Sequence, residues 1–157
     1  MPRGANITVQ ITVLIAAFAL RSLAIGWLFL FAVVFTLGLG ALIVALPLLA
    51  ATLVPVPHGR VRAPLLALFL TSDAFLLTFA LLLPDAGDSY SYAPLSVLTG
   101  QRELSPNKAT LFTELGEAAL LGYLATTLAT LVIAVRQRPL GQAPSGPWPP
   151  TRSKRFG

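Results

Sequence analysis

The 157-residue chain has no cysteine, one histidine, one methionine and few charges, only 11% of its residues. Without cysteine there is no disulfide, thiolate metal ligand, thiol nucleophile or covalent haem attachment. A single histidine excludes a bis-histidine haem or zinc site within one chain. Soluble domains carry roughly 25% charged residues, so that class is excluded too. Also missing are a Ser-His-Asp grouping, a phosphate-binding glycine loop and a dinucleotide fingerprint, so neither an enzyme nor a metal or other cofactor is expected. What is present is hydrophobicity. Apolar residues make up 55% of the chain and come in long runs, so the 13 prolines and 12 glycines do not signal disorder there. Such runs leave no folded basic surface for nucleic acid, and the expected surroundings are the lipid bilayer.

Residues 22–57 contain no ionisable side chain. A helix of that length reaches about 50 Å, against a hydrocarbon core of about 30 Å. Residues 64–83, broken only by Asp73, and residues 118–135 are each about one membrane thick. The segment 7–20, ITVQITVLIAAFAL, is interrupted by Gln10 and stops at Arg21. It reads as a short first span, as a signal sequence with Arg3 as its basic end and Ser22-Leu23-Ala24 as its cleavage site, or as an interfacial helix. The expected fold is an all-α integral membrane bundle of four transmembrane helices, or three if the first segment is a signal or interfacial helix.

With four spans and both termini in the cytoplasm, Arg3, Arg60, Arg62, Arg136, Arg138, Arg152, Lys154 and Arg155 fall inside a plasma membrane. Only Arg21, Arg102 and Lys108 fall outside, and the Asn6-Ile7-Thr8 sequon faces the cytoplasm. The bundle then covers residues 1–135, with a structured outer loop at 84–113. Residues 136–157 form a proline-rich basic tail, expected to be disordered and drawn to anionic lipid. In the loop, Tyr90, Tyr92, Leu95, Val97 and Leu98 suit a short helix dipping into the headgroups, ended by Gly100, with Ser105-Pro106-Asn107 opening the last helix.

Asp73 sits near the middle of its span. A carboxyl at that depth must face protein or water or remain protonated, and such acids mark ion or proton paths or hydrogen-bond a neighbouring helix. Tyr123, Thr126 and Thr130 place hydroxyls along the last span, to line a wet path or to bond backbone carbonyls. Small residues recur beside them at Ala118, Gly122, Ala125 and Ala129, and in the second span at Gly38, Ala41 and Ala45, seams suited to close helix packing. Pro47 is placed to kink that second span. Arg21 reads as a snorkelling helix end. Glu114 and Glu117 read as the acidic start of the last helix, complementing its macrodipole.

Thr99-Gly100 followed by Glu103-Leu104-Ser105-Pro106 resembles the surround of the selectivity filter in two-span bacterial potassium channels, where T-V-G-Y-G-D is commonly followed by an apolar residue, Ser or Thr, and Pro. Residues 64–135 are similar to that pore module as a whole, which implies an outer helix, a pore helix, a glycine-bearing loop and an inner helix with a hinge glycine at Gly122. The filter is degenerate, with Gln101-Arg102 standing where Tyr-Gly would be, so potassium selectivity is not implied.

Two functions fit. One is a channel-like or ion- or proton-translocating protein, a homo-oligomer through its small-residue seams, with Asp73 and the hydroxyl stripe on the path. The other is a non-catalytic accessory or assembly subunit, in which the seams meet other membrane subunits and Asp73 bonds one of them.

Overall fold

The computed structural model describes residues 3–24, 26, 39–53, 62–86, 91–101 and 103–136. In chain order the elements are α1 (Arg3–Arg21), α2 (Leu39–Val44), α3 (Leu46–Leu53), α4 (Arg62–Leu82), β1 (Asp85–Ala86), β2 (Ser91–Tyr92), α5 (Pro94–Leu98) and α6 (Pro106–Arg136). Three of the helices are long and apolar enough to cross a membrane, over Gly4–Arg21, Ala63–Leu82 and Pro106–Ile133. Residues 7–20, open to three readings from sequence, therefore lie in one of them. Of the expected second span, α2 and α3 are described, whereas Gly38 lies outside the described residues. So do residues 137–157 of the tail, while Arg136 still belongs to α6.

The three long helices pack side by side, and their cross-contacts give their directions. On α1 and α4 the partners advance together, Gln10 with Asp73 and Arg21 with Leu83, so these helices are parallel. On α4 and α6 they run in opposite order, Ser72 with Thr127, Phe75 with Gly122 and Leu83 with Gly116, so this pair is antiparallel. α3 lies against α1 and α6. Its Ala50 and Ala51 form a buried cluster with Leu65 and Phe69, joined by Ile7, Leu131 and Ile133. A second cluster, Ala17, Leu76, Ala80 and Tyr123, fills the half of the bundle nearer Arg21.

Glycine sets the approach of α4 and α6. A Cβ on Gly116 would stand 2.9 Å from the Cα of Leu83, and one on Gly122 would stand 2.7 Å from the Phe75 ring. The notch at Gly122 is thus filled from within the chain. Of its companions in the expected seam, Ala118 and Ala125 are exposed and Ala129 is half-buried, as is Ala45 on the turn between α2 and α3; Ala41 lies within α2. The buried face of α6 is instead Gly116, Ala119, Tyr123, Thr127 and Thr130, spaced so that each falls on one side of the helix.

α6 has 31 residues and is about 46 Å long, against about 30 Å for the 21 residues of α4. Because Gly116 meets Leu83 just past the end of α4, the stretch from Pro106 extends beyond the other two helices. Pro106 opens it, where a missing N–H costs no helical hydrogen bond. Glu114 and Glu117 are therefore exposed side chains more than two turns inside the helix, and no acid lies in its first turn. This corrects the macrodipole reading, which took the onset of strong hydrophobicity for the helix start.

Leading into that start, Ser96 Oγ accepts from the Ala93 N–H at 3.1 Å and donates to the Ala93 carbonyl at 2.7 Å, closing the first turn of α5. Gly100, at φ 76°, turns the chain after α5 in a conformation other residues rarely adopt. Gly116→Ala should destabilise the protein by about 1–3 kcal/mol, because the obstacle is backbone and cannot rotate away. Leu121→Ala, at a side chain 68% exposed, should be near neutral. Thermal unfolding in detergent compares the two.

Candidate functional site

Asn6, Gln10, Ala17 and Arg21 are buried on α1. Their spacing places them on one stripe of the helix, and across it Gln10 and Arg21 meet α4 and the residues just after it. Gln10 Nε2 donates to Asp73 Oδ2 at 2.9 Å, with both residues buried. The next residue back along α4, Ser72, points the other way and shares a 2.9 Å hydrogen bond with Thr127 Oγ1 on α6. One level of α4 thus joins both neighbouring helices through side-chain hydrogen bonds, inside otherwise apolar surroundings. The apolar cluster around Leu65 and Phe69 lies on one side of this level and the one around Leu76 and Ala80 on the other.

The hydroxyl stripe divides. Tyr123 and Thr130 are buried and Thr126 is half-buried. Thr126 donates to the carbonyls of Gly122 (2.8 Å) and Tyr123 (3.1 Å), and Thr130 donates to that of Thr126 (2.7 Å). Tyr123 instead reaches across, its hydroxyl donating to the Ile43 carbonyl at 3.3 Å. Pro47 explains why that carbonyl is open. It stands four residues after Ile43 and has no N–H, so the helical bond is lost, the helix breaks between α2 and α3, and a side chain from α6 takes the place of the missing donor.

At the end of α1, Arg21 Nη1 donates to the Leu83 carbonyl at 2.6 Å and Nη2 to Asp85 Oδ2 at 2.9 Å. Arg21 is 6% exposed and Asp85 fully buried. The snorkelling reading of Arg21 is corrected here: the guanidinium caps the carbonyl end of α4 and pairs with the first residue of β1. β1 pairs antiparallel with β2, Asp85 opposite Tyr92 and Ala86 opposite Ser91, so the pair anchors the loop to the bundle. At the far end of that loop Thr99, Gly100 and Gln101 are exposed, and Lys108 Nζ donates to Gln101 Oε1 at 3.3 Å.

Gln10, Asn6, Asp85 and Thr127 were not singled out as site residues from sequence. The signal for the first two was available: the amides of α1 and Arg21 fall on one stripe, whereas Thr8 and Thr12 lie off it and bond the carbonyls of Gly4 and Thr8. Asp85 carries no such signal, because its partner is 64 residues away. Among the described residues no group of three His, Cys, Asp or Glu side chains is placed to hold a metal ion. No protein family, characterised protein or solved structure matches the chain.

Arg21→Leu removes the guanidinium paired with the buried Asp85 carboxylate and should cost about 3–5 kcal/mol, while Arg21→Leu with Asp85→Leu should recover most of that loss. Denaturation of the detergent-solubilised variants measures both.

Proposed function

We propose that the protein is a small polytopic membrane protein of four crossings that moves an ion or a proton, with Asp73 as the charged centre of its path. One observation carries this: a carboxyl buried midway along a helix able to cross a membrane faces an amide, and Arg21 is committed elsewhere. An acid at such depth is expensive to keep, and where one is kept it commonly serves ion or proton movement. The parallel course of α1 and α4 supports the fourth crossing. If both cross in one direction, the chain between them returns in the other. Leu39–Leu53 follows that return, from Ile43 beside Tyr123 to Ala50 and Ala51 beside Leu65. Both termini then lie on the cytoplasmic side of a plasma membrane, in keeping with their basic residues. Single cysteines at Gly4 and Ser145 should label from the same side of sealed vesicles; labelling from opposite sides removes the fourth crossing.

A second reading, an accessory or assembly subunit of a larger membrane complex, is favoured by the apolar clusters that close the polar level on both sides. There Asp73 is a structural group fixing the register of α1 on α4, and the exposed α6 face carrying Ala118, Leu121, Ala125 and Leu128 meets other subunits or a second copy. Asp73→Asn separates the two. It keeps size and hydrogen bonding but cannot ionise, so a path should lose flux in reconstituted liposomes with assembly intact. A structural group should tolerate Asn, whereas Asp73→Leu should weaken helix association by about a kcal/mol.

A further inference from the structure

We propose that the seam between α1 and α4 binds a monovalent alkali cation, held by the Asp73 carboxylate and the side-chain amide oxygens of Gln10 and Asn6. The inference rests on the ion-handling reading above and supplies its ligand. It starts from polar atoms that have no hydrogen-bond partner among the described residues. Asn6 is 3% exposed, lies one turn before Gln10 on the same stripe of α1, and its side-chain amide makes no hydrogen bond among the described residues. Gln10 uses its Nε2 on Asp73 Oδ2; its carbonyl oxygen and Asp73 Oδ1 have no hydrogen bond there either. Buried polar groups in folded proteins are almost always satisfied, and an amide one turn from the Gln10–Asp73 pair on the same stripe of α1 points to something bound beside that pair. In lipid the requirement is stricter, because no bulk water reaches the groups.

The donor set selects the ligand. All the candidate atoms are hard oxygens, and the chain has no cysteine, so ions that seek sulfur are excluded. Among the described residues Asp73 is the one carboxylate at this level of the bundle. A single positive charge neutralises it, whereas calcium or magnesium would leave a net charge buried among Leu65, Phe69 and Leu76. Arg21 does not compete, being held by Asp85 and the Leu83 carbonyl at the end of the helix. The Gln10 carbonyl oxygen is not used in the bond to Asp73, so it is open to the ion while Nε2 keeps its hold on Oδ2. The Ser72–Thr127 hydrogen bond holds α4 from its other side, so the carboxylate is presented from a fixed helix.

The test is thermal unfolding of the full chain in detergent, with sodium chloride replacing choline chloride at constant ionic strength. A cation that binds only the folded protein stabilises it by mass action. The melting temperature should rise with sodium and saturate, and the rise should be absent in Asp73→Asn. Asn6→Leu replaces the amide with an apolar group and should fold in choline chloride; it should need at least about tenfold more sodium for the same rise, since the loss of even an outer-shell partner weakens a metal site on that scale. No sodium response in the native chain, or equal responses in native protein and Asp73→Asn, overturns the site. Sodium stabilisation without liposome flux keeps the site and discards translocation. Flux lost in Asp73→Asn with no sodium response keeps translocation and overturns the alkali cation in favour of a proton.

Discussion

A bilayer offers no water to a buried polar group, and the internal organisation of this chain follows from that constraint. Gln10 meets Asp73, Ser72 meets Thr127, Arg21 meets both Asp85 and the end of α4, and Tyr123 supplies the donor that Pro47 lacks. Each solution joins two segments distant in sequence. The polar side chains do more than lie among apolar ones: they fix which faces of α1, α4 and α6 meet and at what height. Apolar contacts between helices in lipid have little directional preference, so register falls to the few groups that must find partners and to the glycines that let backbones approach.

How far the sequence shows this can be judged residue by residue. The long apolar segments are legible because hydrophobic length is a one-dimensional property: α4 covers the run at 64–83 up to its last residue, and α6 covers 118–135. Gly100 and Pro106 are also legible, since one turns the chain after α5 and the other opens α6 for local backbone reasons. The start of α6 misleads when hydrophobicity alone marks it, because its first turns lie among polar residues. Asp73 stands out by itself, yet its partner does not. Pairing it with Gln10 requires knowing that α1 is part of the bundle and that it runs parallel to α4, neither of which is local. Arg21 shows the same limit: a lone arginine at a helix end has a solvent-seeking reading, and only the position of Asp85 turns it inward.

The polar level is flanked along α4 by apolar clusters on both sides, around Leu65 and Phe69 and around Leu76 and Ala80. The contacts between α4 and α6 are unequal in their resistance to a change of packing. At Gly116 α6 abuts the backbone of Leu83, whereas at Gly122 it meets a Phe75 ring that can rotate. The α4–α6 contact is therefore stiffer near Arg21 than at the level of Phe75.

The parallel arrangement of α1 and α4 also has a consequence for biosynthesis. Gln10 precedes Asp73 by 63 residues, and ribosomes add about 5–20 residues per second, so α1 exists for about 3–13 s before its partner is made. During that interval the amide of Gln10 and the guanidinium of Arg21 have no α4 to meet. The first helix must wait at the insertion machinery, near the headgroups, or against the intervening chain.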